Sequence, residues 1–392
     1  MIRTFLRITR IDDFALRMAL LYAALFAFNG IQLPYLPVWL EAKELTPREI
    51  GIVLAVPMLV RIIAMPFATR LIDRRLIHKP ALTVAAALSA LGYAVMAFTQ
   101  GFLAIIATYA VIAVASAPLL PLTDSFALRG LNARKLAYGP VRLWGSITFI
   151  LANAVGGVFF AMRGAAELVW MLTAAMAATA ATTLALPLAP DDTKTAAFGD
   201  AGRSLWRSGL FATTVLGASL IQASHAVMYG FATVQWSAKG FGGTAIGLLW
   251  AIGVIAEILL FAMSRVAVAR IGDVNMILLG GSGALLRWTM MAFDSPTALL
   301  PILQCFHGLS FGATHLGAMH VLARIADRGS PAAAQGDFSA LQAVTFAAAM
   351  GVSGVLVETL GTLAYLAMAA VAAVGLVTAA GGRRIWRGAD RA

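Results

Sequence analysis

Apolar runs of about 20 residues or more follow one another along the chain, separated by short stretches holding Lys, Arg, Asp, Glu, Gly or Pro. That is the length a helix needs to cross a hydrocarbon layer. Twelve spans are expected, at 13–39, 48–70, 80–99, 102–128, 139–161, 166–188, 208–236, 244–266, 274–293, 297–323, 334–357 and 361–382. The first begins like a secretory leader, with Met1 to Arg10 ahead of an apolar run, but it continues to Trp39 and reads as an uncleaved span. Residues 189–207, APDDTKTAAFGDAGRSLWR, form the one extended polar stretch and divide six spans from six. The pattern predicts an all-α membrane protein with twelve transmembrane helices in two six-helix bundles. The expected domains are 1–188, a cytoplasmic linker 189–207, and 208–392.

Composition agrees. Of 392 residues, 60% are hydrophobic and 12% charged, whereas soluble domains run near 45–50% and about 25%. So few charges cannot cover a water-facing surface, which excludes a soluble enzyme, a nucleic-acid binder and a disordered scaffold. The net charge of +11, from 29 basic and 18 acidic residues, is spread over the connections between spans. Of the 29 Lys and Arg, 21 fall in the termini and loops of one side, and Lys43, Arg48, Arg163 and Lys239 on the other. The asymmetry places both termini and the 189–207 loop in the cytoplasm of an inner-membrane protein. Cys305 is the single cysteine, so no internal disulfide forms. No nucleotide loop is present, since the Gly280–Gly283 run lacks a following Gly-Lys-Ser/Thr. No cofactor and no metal are expected. The expected partners are a small-molecule substrate, a proton and the lipid bilayer, with no nucleic acid, for a monomeric chain.

The halves repeat. Trp39-Leu-Glu-Ala-Lys43 with Ile50-Gly51 matches Trp236-Ser-Ala-Lys239 with Ile246-Gly247, residues 92–98 match 287–293, and 147–158 match 344–355. The offsets are 195 to 197. A parallel six-helix repeat gives two bundles that rock about a site between them.

Charges inside spans are costly, about 2.5–3.5 kcal/mol for Arg or Asp at mid-membrane by insertion scales, so they face the protein interior and have partners. Arg17 lies near a helix end and snorkels. Arg61, Arg142, Arg287, Asp124 and Glu257 lie deeper. Asp124 and Arg142, eighteen residues apart on consecutive helices, admit two readings: an ion pair anchoring spans 4 and 5, or a substrate contact. Arg61 and Glu257 sit at the repeat offset of 196 in spans 2 and 8. Glu257 is the expected proton-coupling carboxyl and Arg61 or Arg287 its changing partner, because a varying carboxyl–guanidinium distance loads and releases a proton. The alternative is a fixed salt bridge. The three Arg and two acids sum to +1, which one monocarboxylate anion would balance.

His225, His307, His315 and His320 also lie in spans. His307, Phe311, Thr314 and His315 share one helical face, and His320 points elsewhere. His titrates near neutral pH, so His307 and His315 are candidates for proton relay or carboxylate contact; interhelical hydrogen bonding is the structural alternative. Spans 1 and 7 carry matched polar groups, Asn29 and Gln32, then Gln222, His225 and Tyr229, which either pack or orient a substrate. Phe28, Tyr229, Trp250 and Phe311 are candidate pocket aromatics, and Trp250 shares a face with Gly253, Val254 and Glu257. Gly308-Leu-Ser-Phe-Gly312 fits the serine-nucleophile pattern, but it lies in a helix rather than a strand-to-helix turn. It is the sole support for an enzyme reading, an intramembrane serine protease, and no catalytic residue is assigned.

Several blocks resemble the major facilitator superfamily, and within it the phenylpropionate permease family, relatives of the nucleoside and oligosaccharide proton symporters. They are Pro121-Leu-Thr-Asp124, Tyr138-Gly-Pro-Val-Arg-Leu-Trp-Gly-Ser146, Gln222-x-x-His225 with Tyr229-Gly-Phe231, Leu249-Trp-x-x-Gly-Val-x-Ala-Glu257, Arg287-Trp288, and His307 with His315-Leu316. Leu71-Ile-Asp-Arg-Arg75 is a weaker form of the superfamily's loop signature. The resemblance implies proton-coupled uptake of a small aromatic acid across the inner membrane. In the related sugar symporters an acid–Arg pair on helices 4 and 5 contacts substrate, which the resemblance carries to Asp124 and Arg142. Nucleoside or oligosaccharide symport and drug efflux stay open as alternatives.

Overall fold

The computed structural model describes residues 12–75, 78–187, 208–293, 295–326 and 331–389, with side chains except at 61, 63, 65–75, 325, 326, 331–333 and 384–389. The expected 189–207 linker lies outside the described residues. Those described are helical, without a strand. In chain order the spans are α1 (Asp13–Ala42), α2 (Pro47–Arg75), α3 (His78–Phe98), α4 (Phe102–Ala133, interrupted at Ala117–Pro118), α5 (Tyr138–Arg163) and α6 (Leu168–Leu184). The second half gives α7 (Gly209–Ala238, interrupted at Ser224–His225), α8 (Gly243–Ala262), α9 (Asp273–Ala292), α10 (Leu300–Cys305, then Gly308–Ala313 and Thr314–Ala326), α11 (Pro331–Leu360) and α12 (Ala364–Ala389). Eight stretches of the described residues are long and apolar enough to cross a membrane, the last covering α11 and α12 together.

Two expectations need correction. Several helices outrun their apolar runs; α2 continues to Arg75 rather than 70, and α12 to Ala389 rather than 382. An apolar run marks only the part of a helix inside hydrocarbon, and polar turns beyond it keep their backbone hydrogen bonds in water. Span 10, expected as one helix, is broken, with a π-helical stretch at Gly308–Ala313.

The repeat is written into the helix ends. Asp12 caps α1 by accepting from the Ala15 amide at 3.1 Å, and Ser208, 196 residues on, caps α7 by accepting from the Phe211 amide at 3.4 Å. Both helices then end alike. Glu44 (φ 63°) and Gly240 (φ 85°) take left-handed backbone, and the next amides close onto the helix, Leu45 to the Leu40 carbonyl and Phe241 to the Trp236 carbonyl. Gly164 (φ 79°) ends α5 as Gly361 (φ 58°) ends α11. Thr46 and Glu49 form a reciprocal capping box that starts α2. Arg17 behaves as expected, pairing with Asp13 at 2.6 Å and donating to the Ala185 carbonyl.

The two bundles meet most tightly at the end away from the chain termini. A Cβ on Gly157 of α5 would stand 2.3 Å from the Gly243 carbonyl oxygen of α8, and one on Gly354 of α11 would stand 2.3 Å from the Pro47 carbonyl of α2. Only glycine lets backbones approach so closely. Tyr35 of α1 completes the contact, donating to the Asn153 carbonyl at 2.7 Å. At the termini end, no described glycine of one bundle touches the other bundle.

Candidate functional site

The second bundle holds a buried polar cluster at its centre. The break in α7 puts two side chains into it. Ser224 Oγ donates to the Ile221 carbonyl at 2.5 Å and accepts from Trp288 Nε1 at 2.9 Å. Such side-chain bonds compete with the helical ladder and let it bend. His225 follows, fully buried, with Nδ1 3.1 Å from the Gln222 carbonyl and Nε2 3.0 Å from Ser310 Oγ.

The π-helical turn of α10 has a geometric consequence. In a regular α-helix, residues eight apart are rotated by about 80°; the wider turn removes that drift. His307 and Phe311 stack at 5.2 Å and 12°, and Phe311 and His315 at 5.9 Å and 5°. Three rings thus form one ladder along α10. Thr314, expected on the same face, instead donates to the Ser310 carbonyl at 2.9 Å and packs toward Gly280 of α9.

Arg287 of α9 is fully buried. Its Nη2 donates to Gln304 Oε1 at 2.8 Å, and its Nη1 lies 3.3 Å from Ser310 Oγ and 3.4 Å from His307 Nδ1. The other nitrogen of that ring, Nε2, lies 3.3 Å from a carboxylate oxygen of Glu257. A guanidinium only donates and a carboxylate only accepts, so His307 carries its proton on Nε2 and offers Nδ1 to Arg287. The same logic orients the second branch, from Arg287 to Ser310, Ser310 to His225 and His225 to the Gln222 carbonyl. Nε of Arg287 and Nε2 of Gln304 are buried without a partner. In this arrangement the Glu257 carboxyl meets His307, and Arg287, one of its two expected changing partners, stands on the far side of that ring. The Arg61 side chain lies outside those described, so its expected pairing does too.

Aromatic groups wall the cluster. Tyr229 lies 6.0 Å from Trp250, 5.9 Å from Phe346 and 6.2 Å from His307. Trp250 is tied by Nε1 to Thr233 Oγ1 at 2.9 Å. Gln222 accepts from Gln342, joining α7 to α11.

The first bundle has a second polar group. Asp124 and Arg142 do not form the ion pair that was one reading of them. Asp124 Oδ1 instead accepts from Tyr22 at 2.5 Å and Tyr138 at 2.9 Å, and the Arg142 guanidinium lies 3.8 Å over the Phe26 ring. Two phenol donors satisfy the carboxylate, and the cation rests on a π-face. Gln32 donates to Tyr93 at 3.1 Å and to Tyr109 at 2.8 Å, the arrangement of its packing reading, with Phe28 packed on Tyr93. Asn29 bonds the Leu25 carbonyl of its own helix at 2.7 Å. His320 is exposed.

Sequence reading missed Tyr22, Tyr138, Gln304, Gln342 and the role of Ser310. Tyr138 opens the Tyr-Gly-Pro block next to Arg142, and Gln304 precedes His307 by one turn; both signals were readable. Ser310 was visible only as part of a false elbow, and its π-helical setting supplies no oxyanion turn.

Two related six-helix bundles of spanning helices, closed on each other at one end and carrying ionisable groups at mid-span, define a membrane transporter of the major facilitator type. Comparison with known proteins agrees. The model of the MFS_1 like family matches residues 15–367, and the chain belongs to that family. It is 33% identical over 347 residues to the probable 3-phenylpropionic acid transporter of Escherichia coli (strain K12), covering 86% of this chain and 87% of the relative. This bears out the resemblance to the phenylpropionate permeases. It is 25% identical over 310 residues to the maltose permease of Geobacillus stearothermophilus, covering 78% of each. Among solved structures, the nucleoside transporter NupG (D323A mutant) superposes with a TM-score of 0.84 at 18% identity, over 94% of this chain and 99% of that one. A bacterial homolog of the human lysosomal transporter Spinster, in an inward-facing and unoccupied conformation, gives 0.68 at 13%, over 94% and 93%. At these identities the two structures speak for the fold alone.

Proposed function

We propose that the protein is a proton-coupled symporter of a small aromatic monocarboxylate of the 3-phenylpropionate kind. The observation that carries this is the placement of His307 between Glu257 and Arg287. With Glu257 ionised, His307 neutral and Arg287 charged, the cluster is balanced. A proton arriving on Glu257 leaves a fully buried guanidinium without a counter-charge, a condition that costs several kcal/mol. A carboxylate anion restores the balance. Proton and anion therefore load together, one of each, and the loaded site carries the same charge as the empty one.

Arg142 supports the anionic reading from the other bundle: Asp124 is bonded to two phenols, so this guanidinium is left for a ligand, with Phe26 and Tyr22 beside it. Tyr229, Trp250 and Phe311 supply surfaces for a ring. The two bundles, 1–188 and 208–392, move about the site as the contacts at Gly157–Gly243 and Gly354–Pro47 part and reform. The Lys/Arg bias puts the termini in the cytoplasm of an inner membrane, so the glycine-tight end faces outward.

The test is uptake of labelled 3-phenylpropionate into proteoliposomes under an imposed pH gradient, with nucleosides and maltose as competitors. Accumulation that a protonophore abolishes, and that aromatic acids alone compete, is expected. Competition by maltose or a nucleoside, with none by aromatic acids, overturns the substrate assignment.

A further inference from the structure

Glu257 faces α10 across Gly312, where a Cβ would stand 3.5 Å from the Glu257 Cγ. Gly312 lies between the two histidines of the ring ladder. On one side is His307, bonded to the carboxylate. On the other is His315, whose ring is flanked by Phe311 and, at 6.4 Å, Phe261 of α8. Its Nδ1 is buried and has no hydrogen-bond partner. Leaving a buried polar atom without a partner is costly, which favours a second arrangement that satisfies it.

Resting on the symport reading above, we propose that His315 is a second seat for the coupling carboxyl, taken when Glu257 is protonated. The two histidines offer opposite chemistry. His307 presents an N–H, which an ionised carboxylate accepts. With its proton on Nε2, His315 presents a bare Nδ1, to which a protonated carboxyl donates its O–H. Taking up a proton thus changes which histidine Glu257 prefers. Gly312 has no side chain to block the carboxyl as it moves along α10, and the π-helical turn holds both rings on the face it crosses. Departure from His307 frees that ring's Nε2–H beside the Arg287 guanidinium, and the pair forms a donor set for the arriving substrate carboxylate. Because α10 runs toward the termini end, the same movement carries the proton toward the face where the termini lie. His315 is a positioning residue in this scheme, acting on substrate through Glu257.

The experiment compares proton-driven accumulation with substrate exchange at equal pH in proteoliposomes carrying His315→Phe, His315→Asn, Gly312→Val or Glu257→Gln. Phe keeps the stacking but removes the acceptor. Asn restores an acceptor at the Nδ1 position. Expected are exchange within twofold of the parent and accumulation reduced at least tenfold in His315→Phe and in Gly312→Val, with more than half of the accumulation regained in His315→Asn. In infrared difference spectra, the protonated Glu257 C=O band, assigned by its loss in Glu257→Gln, shifts to the frequency of an unbonded acid in His315→Phe. Accumulation within twofold of the parent in both His315→Phe and Gly312→Val overturns the second seat, as does equal loss of exchange and accumulation in both. If Glu257→Gln itself accumulates substrate like the parent, the symport reading fails. If Glu257→Gln fails to accumulate while His315→Phe succeeds, only the second seat fails.

Discussion

Gly157 and Gly243 meet backbone to backbone, each so placed that a Cβ on it would lie 2.3 or 2.2 Å from the carbonyl oxygen of the other. Nothing can yield there except the separation of the two bundles, because the obstructing atoms are main chain. Overpacking of this kind costs typically about 1–3 kcal/mol. Gly243→Leu is therefore expected to favour the state in which this end is open, by about 5–150-fold. The check is thiol labelling of Tyr35→Cys in a Cys305→Ser background, with and without Gly243→Leu; position 35 is fully buried at this seam, so its labelling rate rises when this end opens. An unchanged labelling rate would mean the contact is not a gate.

Asp124 takes two phenol donors while Arg142 rests on Phe26, so the two residues should answer to mutation differently. Hydrogen bonds to charged groups contribute about 1.5–3 kcal/mol each. Tyr22→Phe is expected to lower the thermal stability of the purified protein and to change substrate affinity less than threefold. Arg142→Gln is expected to raise Kd at least tenfold with little change in melting temperature. Thermal unfolding and equilibrium binding of the two variants, measured together, check this; the reverse pattern would place Asp124 in the binding site.

The repeat, the span count and the deep ionisable groups were legible in the sequence because each is a local signal. Apolar length marks a span, a shared offset marks a repeat, and a charge in an apolar run is conspicuous. Pairing was less legible. Asp124 and Arg142 carry opposite charges at suitable spacing, yet phenols from α1 and α5 reach Asp124 first, and side-chain competition of that sort is a tertiary fact. The wiring of the polar cluster depended on the break at Ser224–His225 and on the π-helical turn of α10, and neither has a Pro to announce it. A regular helix through 307–315 would set His307 and His315 about 80° apart, so their alignment was half visible and its cause was not.

Arg287 donates through a planar fork to Gln304, Ser310 and His307. A lysine keeps the charge but not the fork. Arg287→Lys is expected to lose at least tenfold in affinity for the carboxylate while still reaching the membrane. Equilibrium binding and surface expression check this; parental affinity in Arg287→Lys would mean that the anion does not meet this group.

The central claim is that proton and carboxylate enter one charge-balanced cluster together, and the driving force for uptake tests it most directly. Proteoliposomes are given either a pH gradient at zero voltage or a potassium-diffusion voltage at equal pH, and labelled acid and proton uptake are recorded side by side. Expected are accumulation with the pH gradient alone, none with the voltage alone, one proton per acid, and no net accumulation in Glu257→Gln. Voltage-driven accumulation, or parental accumulation in Glu257→Gln, would contradict it.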